Sequence, residues 1–157
     1  MSQSCFDCTQ RSDRVFCDLA PTALAAFDGI KSTQMLPKGT VLFREGQVSR
    51  GVFLLCEGRV RLTVCSENGR RLTLRTVTAG ELLGLSACLA GGGYEVTAEA
   101  VDNLRVAAVS RRDLLRFLRE HREACLHVVN LLSEDLHVAY DRVRSVGLGR
   151  VRRARVS

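Results

Sequence analysis

Glycines set at turn-like intervals constrain this chain of 157 residues more than any other feature. The run Pro37-Lys38-Gly39-Thr40-Val41-Leu42-Phe43-Arg44-Glu45-Gly46 leads on to Gly51 and Gly58, and Gly80-Glu81-Leu82-Leu83-Gly84-Leu85 answers it downstream. Glycine recurring between short apolar segments marks tight turns where positive φ is tolerated, so this region predicts short strands in a rolled sheet. The second glycine cluster can also present bare backbone amides to an anion. From about Met35 to Val109 the hydrophobic period is two. Val60, Leu62 and Val64 alternate with Arg59, Arg61 and Thr63, and Leu72 and Leu74 alternate with Arg71, Thr73 and Arg75. Such alternation predicts half-buried strands. Asn68-Gly69 falls between the two runs and predicts a two-residue type I′ hairpin, hence antiparallel pairing.

Helices flank this β region. Pro21 followed by Thr22-Ala23-Leu24-Ala25-Ala26-Phe27 predicts a short one. Ser110-Arg111-Arg112-Asp113 opens a second, to about Glu120, with a hydroxyl to take a backbone N–H and an acid at the positive helix end. From Glu123 to Val146 one long helix is predicted. Its apolar residues Val129, Leu132, Leu136, Ala139, Val143 and Val146 follow spacings of three and four. A plain amphipathic core helix is one reading of that stripe. Its narrow regularity favours the other, a parallel two-stranded coiled coil between two copies. Gly147 and Gly149 are expected to end or hinge the helix.

Composition narrows the class. An apolar fraction of 46% suffices for one core. No stretch reaches the roughly 20 apolar residues of a membrane span, and Met1-Ser2-Gln3-Ser4 begins no secretory leader, so the expected location is the cytoplasm. Of the net charge of +6, Arg150, Arg152, Arg153 and Arg155 supply four, which leaves the rest nearly neutral. Seven cysteines in such a chain are thiols or metal ligands rather than disulfides, since an odd number cannot all pair. Cys56, Cys65 and Cys125 sit in apolar patterns and read as packing residues. His121, His127 and His137 all lie in the C-terminal helical region, so the imidazole cluster of a metal-dependent enzyme on such a barrel is missing, and no enzyme is expected.

The order of these elements resembles the effector domain of the CRP/FNR transcription regulators. Lys38-Gly39 with Leu42-Phe43 and Glu45-Gly46, then Phe53-Leu54-Leu55 with Gly58 and Val60, then Gly80-Glu81-Leu82 carry the resemblance. It implies a mainly β fold with flanking helices: a double-stranded β-helix or β-roll of the cyclic-nucleotide-binding, jelly-roll kind, plus a long C-terminal dimerisation helix. The expected organisation is a cysteine-containing arm (1–18), the roll with short helices (19–120), the dimerisation helix (121–148) and a basic tail (149–157). The resemblance places the effector pocket at Gly80, Glu81, Leu82, Leu83, Tyr94 and Glu95.

In nucleotide-binding members an Arg-Ser pair neutralises the cyclic phosphate, and Tyr94 and Glu95 stand at those positions. A carboxylate about 4 Å from a phosphate costs about 4 kcal/mol at an effective dielectric near 20. Cyclic AMP is therefore not the expected ligand. Oxygen-sensing members hold an iron–sulfur cluster on arm cysteines, and Cys5-Phe6-Asp7-Cys8 with Cys17 looks similar. The spacing from Cys8 to Cys17 is longer than theirs, and the fourth-ligand position falls near Ala107 and Ala108, so Cys88, in the loop after Gly84, or Cys56 or Cys65 would have to complete the set. A zinc-stabilised arm and plain reduced thiols are the alternatives.

A helix-turn-helix domain needs on the order of 50 further residues, so DNA reading is expected only through a domain absent from this chain. The functional expectation is a sensor and homodimerisation domain that answers a small-molecule or redox signal, with no membrane partner. A signal-insensitive dimerisation module is the alternative.

Overall fold

The computed structural model describes residues 19–156, with side chains described through Ser145. Helix α1 (Pro21–Ile30) is followed by strands β1 (Ser32–Leu36), β2 (Val41–Phe43), β3 (Gly51–Glu57), β4 (Val60–Cys65), β5 (Arg71–Val77) and β6 (Leu82–Leu83). Helix α2 (Leu85–Ala90) precedes β7 (Thr97–Ala100) and β8 (Leu104–Ser110), and α3 (Arg111–Glu120) and α4 (Arg122–Val156) close the chain. Two four-stranded antiparallel sheets, ordered β1-β8-β3-β6 and β2-β7-β4-β5, face each other as the expected roll.

Two cores share the first sheet as a common wall. Between the sheets lie Phe43, Leu55, Val60, Val77, Leu83, Ala98, Leu104 and Val106. On the outer face of the first sheet Val52, Leu54, Ala107 and Val109 meet Leu24 and Phe27 of α1, Leu114 and Phe117 of α3, and Ala124 and Val128 of α4. β3 and β8 are therefore buried on both faces, which explains why Phe53-Leu54-Leu55 is a continuous apolar run rather than an alternating one. The Phe27 and Phe117 rings, 5.7 Å apart, join α1 to α3. Ser110 caps α3 as the sequence suggests, its Oγ accepting the Asp113 N–H at 3.2 Å.

Several expectations are corrected. The β4–β5 hairpin is no type I′ turn, because among the described residues only glycines have positive φ and Asn68 does not. Ser66 to Gly69 form a turn closed by the Gly69 N–H on Ser66 O at 2.9 Å, with Gly69 alone at φ +76°. Burial along β4 does not simply alternate: Thr63 is buried, and the register with β5 shifts between Leu62 and Thr63 so that Leu74 of β5 has no residue directly opposite. Leu72 and Leu74 are not half-buried. β5 is an edge strand paired only with β4, and all its residues except Val77 are exposed. Cys65 is exposed rather than packed, and Cys88 lies in α2, fully buried, not in a loop. The helix does not end at Gly147 or Gly149 but runs to Val156, through most of the stretch expected to be a basic tail.

The turn between β3 and β4 shows how tightly glycine is required. At Gly58, φ is +93°, and an added Cβ would stand 2.6 Å from the backbone oxygen of Asn103. Neither the dihedral nor the backbone neighbour can give way cheaply. Gly58→Ala is expected to destabilise the domain by about 1–3 kcal/mol. Denaturant unfolding checks this, the midpoint falling with an unchanged m-value.

Candidate functional site

A cavity of about 130 Å³ lies between the roll and α4. β6 brings Leu82 and Leu83 to it, the segment before β7 brings Tyr94 and Glu95, β2 brings Phe43, β5 brings Arg75, and α4 brings Leu131 and Asp135. Four of the six residues expected in an effector pocket, Leu82, Leu83, Tyr94 and Glu95, are thus together. Gly80 and Glu81 instead build the corner leading into it. The Gly80 N–H donates to Leu55 O at 2.7 Å, and the Glu81 carboxylate accepts from the Thr78 N–H at 2.7 Å and from Arg75 Nη1 at 2.8 Å. Both Glu81 oxygens are therefore engaged within the chain.

Tyr94 shapes the cavity most. Its ring is buried and stacked on Phe43 with centroids 3.9 Å apart, and its hydroxyl donates to Gly51 O at 3.1 Å. The ring lies so close to the backbone entering α2 that a Cβ on Gly84 would approach Tyr94 Cε1 to 2.8 Å, and Gly84 also holds φ +80°. Tyr94, which the resemblance set at a cation position, is thus a buried ring packed into the fold.

The charges at the mouth are Arg75, Glu95 and Asp135, with Arg75 paired to Glu81. Partial desolvation against the cavity, with Glu81 and Glu134 nearby, pushes the carboxyl of Asp135, a residue still exposed at the mouth, above its ordinary value against the pull of Arg75. Phe43, Leu62, Arg75, Leu131 and Asp135 were missing from the sequence-based site. Arg75 had a faint signal as the polar partner in an alternating strand, whereas Leu131 and Asp135 come from a helix far away in sequence and had none.

Of the cysteines expected to hold a cofactor, Cys5, Cys8 and Cys17 lie outside the described residues. Cys88 sits in the helical core, where burial pushes its thiol up against the pull of Arg111 and a hydrogen bond with Ser49. A thiol held in its neutral form is a weak metal ligand. Among the described residues no group of three or more His, Cys, Asp or Glu is arranged to hold a metal ion. Of the seam residues, Val129, Leu136, Ala139 and Val143 are exposed, while Leu132 is half-buried against the helical core, and the side chain of Val146 lies outside the described residues.

Residues 33–121 match the family described as cyclic nucleotide-binding domain. The chain belongs to this family, in its CRP/FNR branch of transcription regulators. It is 28% identical over 129 residues to the cyclic AMP receptor protein of Thermus thermophilus, covering 79% of this chain and 60% of that protein. It is 24% identical over 140 residues to the transcriptional activatory protein AadR of Rhodopseudomonas palustris, covering 89% of this chain and 57% of that protein. The crystal structure of the Thermus thermophilus catabolite activator protein superposes with a TM-score of 0.78 at 26% identity, over 85% of this chain and 62% of that one. The chain spans about three-fifths of the length of the curated relatives it matches. Among the described residues no helix is long and apolar enough to cross a membrane.

The raised Asp135 pKa has a definite sign in this family member. Below the unfolded value of 3.8 the carboxyl is protonated in both states and costs nothing. As pH rises from there through the raised folded value the proton is lost, and the folded state bears the cost from then on. Because Asp135 is exposed and solvent screens it, Asp135→Asn is expected to raise Tm near neutral pH only slightly, by an amount that shrinks to nothing as pH falls toward 4. A pH series of thermal melts checks it, and a pH-independent gain would contradict the assignment.

Proposed function

We propose that this chain is the effector-sensing and dimerisation part of a CRP/FNR-type regulator, that two copies pair through α4, and that cyclic AMP is not the effector. One observation carries the reading: α4 supplies both a wall of the cavity, through Leu131 and Asp135, and an unpartnered heptad stripe. Val129, Leu136 and Val143 recur every seven residues and are 53%, 52% and 68% exposed. Apolar side chains at that spacing on a helix about 50 Å long suit the seam of a two-stranded coiled coil. A molecule that pushed on Leu131 would rotate or shift a rigid rod whose next turn carries the seam. Signalling then needs only different affinities for two helix arrangements, with no bond made or broken.

The exclusion of cyclic AMP rests on Tyr94 and Glu95. The first, assigned to the phosphate position by the resemblance, is a stacked ring, and the second and Asp135 put negative charge at the mouth. The relative named as a cyclic AMP receptor supports the architecture but not the ligand. Sensing and pairing, not base reading, are the roles assigned to residues 19–145.

Sedimentation of the purified chain is expected to give a dimer at tens of micromolar. Leu136→Lys with Val143→Lys should give a monomer with an unchanged circular dichroism spectrum; a native monomer, or a mutant that remains dimeric, would contradict the seam. These two positions are chosen because Leu132 also packs within its own protomer. Calorimetric titration with cyclic AMP at millimolar concentration is expected to show no saturable heat, and a micromolar Kd would reverse the ligand assignment.

A further inference from the structure

A second cavity, larger than the one beside α4, lies among the described residues. A cleft of about 410 Å³ opens where β1, β3, β8 and the start of α3 meet, and Ser32, Gln34, Arg50, Phe53, Tyr94 and Ser110 are among its lining residues. Small-molecule sites run from roughly 300 to 1,000 Å³. The cleft falls within that range.

Strand register shows that the cleft is built into the mouth of the roll. Ser32 stands opposite Ala108, Ala108 opposite Phe53, and Phe53 opposite Leu83. Residues directly opposite on antiparallel strands share a face. This is the face that carries Leu83, Leu55 and Val106 into the core between the sheets. Gln34, paired with Val106, lies on it too. β1 thus places a hydroxyl and an amide on a face that is otherwise apolar, and both residues stay exposed.

The other two elements of recognition are an aromatic floor and a free cation. Phe53 and Tyr94 flank Phe43, with ring centroids 6.1 and 3.9 Å from it, and both reach the cleft. Arg50 is exposed and makes no ion pair among the described residues. The acid on the rim, Asp113, does not neutralise it. Its carboxylate is 3.2 Å from Arg116 and sits in the first turn of α3, where the helix favours negative charge.

We infer that this cleft is a second ligand site and that it takes a small aromatic carboxylate. The ring lies against Phe53 and Tyr94, the carboxylate meets the Arg50 guanidinium, whose planar fork matches it, and Ser32, Gln34 and Ser110 serve the polar rim. A single arginine with no second cation suits one negative charge better than a phosphate dianion. The inference assumes nothing about what occupies the cavity beside α4.

Calorimetry with 2-naphthoate as the probe, and 2-naphthamide as its neutral twin, tests it on the whole chain. 2-Naphthoate is expected to bind saturably, and Arg50→Gln should weaken it about tenfold or more, the scale of a hydrogen bond to a charged group. The amide should bind the native chain about as weakly as the acid binds Arg50→Gln. Gln34→Trp, which fills the mouth from an exposed strand position, should abolish binding. Asp135→Asn should leave the affinity unchanged, because that carboxylate faces the other cavity. No saturable binding, equal affinity in Arg50→Gln, an equally tight amide, or binding that survives Gln34→Trp would each overturn the site. Tighter binding in Asp135→Asn would place the acid beside α4 and overturn it as well.

Discussion

The pairing of β8 with β1 on one side and β3 on the other is what the rest of this domain hangs on. β3 and β8 present one set of side chains to the space between the sheets and the alternate set to the helices. Every element that touches a cavity is referenced to that wall. α1 and α3 pack on its outer face, α3 hands the chain at His121 to α4, and the first turns of α4 are buried through Ala124 and Val128. The remainder of α4 is therefore aimed by a buried anchor and not by its own surface. Burial on both faces also leaves no freedom to slip: a shift of one residue along β8 would exchange the two cores side chain for side chain.

On the inner side of the wall Tyr94 holds the roll and its cavities in relation to one another. Stacking on Phe43, the bond to Gly51 O and the close approach at Gly84 fix the ring from three directions. It lines the small cavity on one side and the larger cleft on the other. A polar tip that must find a partner when buried and an apolar body that must be covered make tyrosine suited to such a partition. The surface ion pairs of the second sheet, such as Arg61 with Glu99 and Arg59 with Asp102, are exposed and add little by comparison.

What was legible in the residues followed from local chemistry. Pro21, the Ser110 cap and the glycine-paced turns marked element ends because each acts through its own backbone. The type I′ expectation at Asn68-Gly69 failed for an instructive reason. The dipeptide is also compatible with a longer turn, and the Ser66 hydroxyl, which accepts the Arg70 N–H at 3.1 Å, stabilises that alternative. The expectation for Leu72 and Leu74 failed because alternation reports a face and not what covers it. Leu82, Leu83, Tyr94 and Glu95 of the candidate pocket were found by analogy of position, whereas Leu131 and Asp135, among those missed, are brought in by a helix whose docking has no local signal.

The order of strands and helices, the glycine turns and the heptad stripe are properties of the chain as written, since each depends on residue type and short-range spacing. Which stripe residues stay uncovered, why Cys88 is sealed in a helix, and how Ser32, Arg50 and Phe53 come to share one cleft were decided by packing. Those relations join residues far apart along the chain, and distance in space is set only once the two cores have closed on their common wall.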